Sequence, residues 1–219
     1  MRLRYQTVFR QSEVEIIEKK SRFIATVSPV ADEGQALRFL DAMRKKYKDA
    51  SHNVFAYQVG LDVEITRMSD DGEPSGTAGL PILDVLRGQN LKNTAVNVTR
   101  YFGGSLLGTG GLARAYGRAA KNGVEAAGVI EYRHHTPLYL TVAYPLLGKV
   151  THHAMQNGHV IHDTIYTETV TFYFFVETPK LDSFIRQITD ITNATAQIQL
   201  CEPVYGTVYK DLFREAAPL

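Results

Sequence analysis

What this chain lacks bounds it first. A single cysteine, Cys201, among 219 residues excludes an intrachain disulfide framework and suits a reducing compartment. No apolar run approaches the ~18 residues of a helical membrane span, so any membrane role would be peripheral. Residues 1–20 alternate charged with apolar side chains instead of presenting the apolar block of a secretory signal, and a cytoplasmic protein is expected. Charge of one sign is lacking too: 24 Lys and Arg stand against 23 Asp and Glu, far from the excess of a dedicated DNA binder. Internal repeats and low-complexity tracts are absent.

What is present is an ordinary globular composition, 44% hydrophobic and 21% charged, with length for one large domain or two of usual size. The small net charge hides a split. Up to His135 there are 19 Lys and Arg to 15 Asp and Glu, and from Thr136 onward 5 to 8. Only the first part is basic, which suits either an anionic partner there or a mildly unbalanced solvated surface.

Residues 14–18 and 21–30, rich in β-branched and aromatic residues around Lys19-Lys20, predict two strands or one bent hairpin. Residues 31–48 switch to helical spacing, with Ala36, Leu37, Leu40, Met43 and Tyr47 on the apolar stripe and Asp32 as N-cap. Strands are expected over 54–59 and 63–68, a loop over 69–79, a short helix over 81–87, a strand over 94–102 and a helix over 112–127. After a strand to about residue 133, His134-His135 ahead of Thr136-Pro137 marks the expected boundary between domains 1–135 and 136–219. The second part reads strand 138–144, helix 146–156, strands 160–167 and 169–177, helix 181–192 and strand 196–202, with a further short strand at 204–208. That is the βαββαβ order of ferredoxin-like domains. The expected class is α+β in two domains.

Core building explains least the run from Tyr101 to Gly111, which places five glycines in nine positions between a strand and a helix. An interior glycine costs about 0.5–1 kcal/mol against alanine. Gly103, Gly104, Gly108, Gly110 and Gly111 therefore imply a tight turn or something lying against the backbone. A strand feeding a glycine turn into a helix is how backbone N–H groups hold phosphate, yet the spacing matches neither the P-loop nor the Rossmann fingerprint. Arg114, Arg118 and Lys121 share a stripe near a helix N-terminus that is already electropositive. With Arg100 they are candidate anion or RNA contacts, and a solvated basic face is the other reading.

A second segment, 69–79, gathers Asp70, Asp71 and Glu73 among turn formers. It fails the EF-hand template, and its carboxylates read either as acid/base or metal groups or as caps on nearby backbone N–H groups. His52, after Ser51 at a strand start, is a candidate for proton transfer or anion contact. His152, His153, His159 and His162 lack the Cys or carboxylate companions of a zinc signature. No metal and no cofactor is expected, and Cys201 reads as a core residue.

Several motifs together carry a family resemblance. They are Lys20-Ser21-Arg22-Phe23-Ile24, Ser51-His52 with Ala56-Tyr57, the run from Asp70 to Gly79 with Pro81, and Thr99-Arg100-Tyr101-Phe102-Gly103-Gly104 followed by Leu107-Gly108 and Gly110-Gly111-Leu112. They resemble the YigZ / IMPACT family over essentially the whole chain, the second half mainly through element order. Asn97, where an apolar strand residue is usual, and Ala113, where valine is usual, depart from the pattern. The resemblance implies an N-terminal domain similar to ribosomal protein S5 domain 2, with a left-handed βαβ arrangement. It implies a ferredoxin-like C-terminal domain similar to domain V of elongation factor G. It also implies a link to translation, since eukaryotic relatives carrying the N-terminal module regulate initiation by competing for a partner of the kinase that phosphorylates an initiation factor.

Three functions stand side by side. A non-catalytic, translation-linked binding protein would engage RNA, the ribosome or a ribosome-associated protein through Lys19, Lys20, Arg22, Arg100, Arg114, Arg118 and Lys121, with Tyr101 and Phe102 available to stack. An enzyme acting on a phosphorylated small molecule or nucleotide would hold phosphate on the glycine stretch and use His52, Asp70, Asp71 or Glu73. A protein-interaction module would instead present a neutral, apolar exposed face.

Overall fold

The strands over residues 21–29, 52–59 and 94–101 are buried on both faces, whereas the neighbouring 12–18 and 65–69 are not. The computed structural model describes residues 2–209 and 212–216, which form two units, one reaching Glu131 and the other Tyr132–Ala216. The first contains β1 (Arg4–Val8), β2 (Ser12–Glu18), β3 (Ser21–Pro29), α1 (Glu33–Lys46), β4 (His52–Val59), β5 (Ile65–Ser69), α2 (Gly79–Gly88), β6 (Thr94–Tyr101) and α3 (Thr109–Ala127). Five strands form an antiparallel sheet in the order β2-β3-β6-β4-β5. On one face Phe23, Val27, Val54, Val96 and Val98 meet α2 and α3 through Ile82, Leu86, Tyr116 and Ala120. The intervening Ile24, Tyr57 and Ala95 turn to α1, where Ala36, Leu40 and Met43 cover them.

Asp32 caps α1 as expected, accepting the Gln35 N–H at 2.7 Å. Leu37, placed on the buried stripe by spacing, is 53% exposed, because the stripe narrows to Ala36, Leu40 and Met43. The sheet face under α1 is partly polar. Asn97 Nδ2 donates to Thr99 Oγ1 at 3.0 Å, Thr99 to Asn53 Oδ1 at 2.7 Å, and Asn53 Nδ2 to the Tyr47 carbonyl at 3.2 Å. Asn97, Thr99 and Asn53 are thus joined by hydrogen bonds, so the unusual Asn97 is accommodated. β1, which periodicity did not reveal, bridges Gln6 to Leu91.

The second half continues with β7 (Val129–Val142), α4 (Leu147–Gln156), β8 (Ile161–Tyr166), β9 (Val170–Glu177), α5 (Leu181–Ile191), β10 (Gln197–Leu200), β11 (Val204–Tyr209) and β12 (Leu212–Glu215). The path β10-β7-β9-β8 gives the first, second, third and fourth strands of the βαββαβ unit the order 4-1-3-2, the ferredoxin-like sheet. Val150, Ala154, Phe184 and Ile188 of α4 and α5 cover one face of it against Leu138, Leu140, Phe172 and Phe174. The two strands expected on either side of His134-His135 form one continuous β7. Within it the Pro137 carbonyl accepts the Cys201 N–H at 2.9 Å. Its missing donor faces that same edge, in the gap between β11, paired at 133–135, and β10, paired at 138–141. The two-domain α+β class expected from the sequence is the class observed.

Candidate functional site

The acidic loop after β5 folds back onto the end of β6 and closes a buried polar cluster. β-Pairing sets His52 opposite Arg100. The Arg100 side chain, only 6% exposed, donates from Nη1 to Glu73 Oε1 at 2.6 Å, and the Glu73 side chain is 4% exposed. The same carboxylate oxygen accepts from Tyr116 Oη at 2.7 Å. Burial first, and then the bond to Glu73, push the Tyr116 phenol far above its usual range. The guanidinium lies over the rings of Phe23 and Phe102, 5.4 and 5.5 Å from their centroids, and its Nε is buried without a hydrogen-bond partner among the described residues.

Around this ion pair the other acidic residues serve backbone groups. Asp70 accepts the N–H groups of Gly76, Ala78 and Gly79 at 2.9, 3.0 and 2.8 Å. Burial alone would raise the Asp70 carboxyl, but these three donors outweigh it and hold it below the usual carboxylate range. Because Ala78 supplies no side-chain cap to α2, Asp70 caps that helix from outside it. Asp71 Oδ2 accepts the Asn53 N–H at 2.6 Å. His52 Nδ1 lies 2.8 Å from the Asp71 carbonyl; a carbonyl only accepts, so Nδ1 donates. That leaves His52 Nε2 facing Glu73 Oε1 at 3.8 Å. The turn-capping reading of the loop therefore describes Asp70 and Asp71, while Glu73 is the counter-ion of Arg100.

The glycine stretch meets two separate needs. Gly103 crosses the β2–β3 turn so closely that a Cβ would sit 2.0 Å from the Lys20 carbonyl carbon, and its N–H donates to Ser21 Oγ at 3.1 Å. Gly108, at φ +69°, opens α3 without a side-chain cap. The first N–H to bond back is that of Leu112, to the Gly108 carbonyl, so those of Thr109, Gly110 and Gly111 point outward from the helix end. α3 thus starts three residues earlier than the apolar spacing indicates, with Gly110 and Gly111 in its first turn. Gly104 lies in the open loop between, at φ +82°.

Beside this helix end is a cleft of about 250 Å³ lined by Glu18, Lys19, Leu107, Gly111, Arg114 and Arg118. Arg118 pairs with Glu18 at 2.8 Å and Lys121 with Glu125 at 3.9 Å. Lys19, Lys20 and Arg114 are exposed, and among the described residues none of the three has an acidic partner. Lys19 and Lys20 occupy the turn at φ 45° and 69°, a left-handed conformation that costs roughly 1 kcal/mol or more per residue with a side chain. Arg100, grouped by sequence with the helix cations, instead points inward to Glu73 because β6 carries it into the core. Sequence reasoning missed Tyr116. Its signal was present, as the one large polar-tipped residue on a helix face otherwise built from Leu112, Ala115, Ala119, Ala120 and Gly123.

Geometry thus defines a two-domain α+β protein with an open basic cleft at one end of its first unit. Residues 19–124 match the family model of the Impact N-terminal domain, and residues 140–195 that of a domain of unknown function, DUF1949. The chain is 39% identical over 201 residues to the IMPACT family member YvyE of Bacillus subtilis (strain 168), covering 92% of this chain and 93% of that one. It is 43% identical over 108 residues to the IMPACT family member YigZ of Escherichia coli (strain K12), covering 48% and 53%. A crystal structure of an hypothetical protein, 28% identical, superposes with a TM-score of 0.59 over 92% of this chain and 99% of that one. The chain belongs to the IMPACT family.

Proposed function

We propose that this protein is a non-catalytic, translation-linked binding protein whose N-terminal unit contacts RNA phosphate, ribosomal RNA included, at the α3 cleft. The observation that carries the reading is the set of exposed cations Lys19, Lys20 and Arg114, without an acidic partner among the described residues, around a helix N-terminus with no side-chain cap, a combination that favours anions through both charge and free N–H groups. Family membership supports the translation link. The acidic loop supports a binding role over an acid/base one, since Asp70 and Asp71 already accept backbone N–H groups and Glu73 neutralises Arg100. No helix among the described residues is long and apolar enough to cross a membrane.

Phosphate contacts release counterions, so affinity must fall with salt. Three contacts on a single strand give a slope of about −2 in log K against log salt, roughly a twentyfold loss between about 50 and 200 mM. Fluorescence anisotropy with a labelled RNA measures this, and Arg114→Ala is expected to reduce the slope by about 0.7. Binding that does not change with salt, or that Arg114→Ala paired with Lys19→Ala leaves intact, refutes the RNA contact. Recovery of one dominant protein and no RNA after mild crosslinking in cells would assign the cleft to a ribosome-associated protein instead.

A further inference from the structure

We infer that the loop joining β6 to α3 selects unpaired nucleotides, with Phe102 as the stacking platform; this rests on the RNA reading above. Phe102 is 49% exposed and Leu106 is 85% exposed. Gly103, the chain neighbour of Phe102, lies on the Lys20–Ser21 backbone, and Leu107, the chain neighbour of Leu106, lines the cleft together with Lys19 and Arg114. Charge complementarity makes the occupant an anion. With Phe102 and Leu106 exposed in the same loop, an occupant that joins phosphate to a planar apolar face, a nucleotide, is the one that uses both features.

The platform is held in place. The Phe102 N–H donates to Ser51 Oγ at 3.1 Å, and the Arg100 guanidinium, itself anchored on Glu73, backs the ring at 5.5 Å. Lipid insertion calls for a loop free to enter a bilayer, whereas a pinned, half-exposed ring next to phosphate-binding cations suits a base whose phosphate lies in the cleft. In a duplex both faces of each base are stacked and only phosphate, sugar and base edges are presented, so a stacking ring has a partner only on an unpaired strand.

Anisotropy of the full chain with oligouridine and with a duplex RNA of equal length tests this at low and high salt. The expected result is tighter binding of the single strand. Phe102→Ala should lower single-strand affinity roughly tenfold or more while leaving duplex affinity and the salt slope unchanged. Phe102→Tyr, which keeps the ring, should restore the preference, whereas Phe102→Leu, which keeps an apolar contact with Arg100 but has no ring, should not; thermal unfolding of the variants checks the fold. Equal losses on strand and duplex overturn the inference, as does an unaffected single strand. Duplex binding that depends on Arg114 without any single-strand preference overturns this inference alone and leaves the phosphate reading standing. Binding of neither RNA removes both. Binding to phosphatidylserine vesicles that Phe102→Ala abolishes, with no preference among RNAs, would reassign the loop to a membrane surface.

Discussion

Glu73→Ala leaves the Arg100 guanidinium buried with a full charge and no counter-ion. Arg100 and Glu73 are only 6% and 4% exposed as side chains, so water reaches neither, and the attraction between them is not replaced by solvation. Removing one partner of a buried pair typically costs about 3–5 kcal/mol, because the remaining charge is stranded. Tyr116 loses its acceptor at the same time, which keeps the value toward the upper part of that range. For a unit of this size, about 4 kcal/mol lowers the melting midpoint by roughly 15 °C. Urea titration followed by circular dichroism supplies the free energy, and an unchanged m-value shows that the folded state is compared like with like. Two companions sharpen the test. Glu15→Ala breaks an exposed ion pair with Arg22, 36% and 50% exposed, and should leave stability essentially where it was. The double change Glu73→Leu with Arg100→Met removes both charges and should recover much of the loss. A Glu73→Ala variant within about 1 kcal/mol of the parent, or a double variant no more stable than the single one, refutes the assignment of this pair as a buried clasp.

Two further outcomes are expected. Gly103→Ala places a methyl group 2.0 Å from the Lys20 carbonyl carbon, against backbone on both sides of that peptide; the turn must move, at a cost of at least about 2 kcal/mol in urea unfolding, and a neutral result would show that the β2–β3 turn is not held there. In the second unit, burial keeps the imidazoles of His134, His135 and His159 below their usual 6.5. The unfolded chain then binds protons before the folded one does, so their contribution is complete above about pH 6.5 and declines as pH falls through the folded values. Asp70, also held low, loses its contribution only in the carboxylate range, from about pH 4 downward. Calorimetry between about pH 7 and 5 should therefore show the second unit losing midpoint temperature, with His135→Gln flattening the slope. A flat profile in the parent protein would refute the linkage.

The amino-acid sequence by itself determined the local and the cumulative features. The Asp32 cap, the helices over Glu33–Lys46 and Leu181–Ile191, the strand pairs, the ferredoxin-like order and the family all follow from spacing and motifs, since neighbours a few residues apart set them. Tertiary structure decided which of several look-alike groups does what. Asp70, Asp71 and Glu73 stand within four positions of one another, yet two cap backbone and the third neutralises Arg100 from 27 positions away and accepts the Tyr116 hydroxyl from 43. Arg100 and Arg114 likewise read as one basic group, and only the pairing of β6 with β3 and β4 turns the first inward and leaves the second at the cleft. The physical reason is that an ionised side chain takes its role from burial and from the partners around it. Those partners arrive from distant parts of the chain, through contacts that no local periodicity encodes.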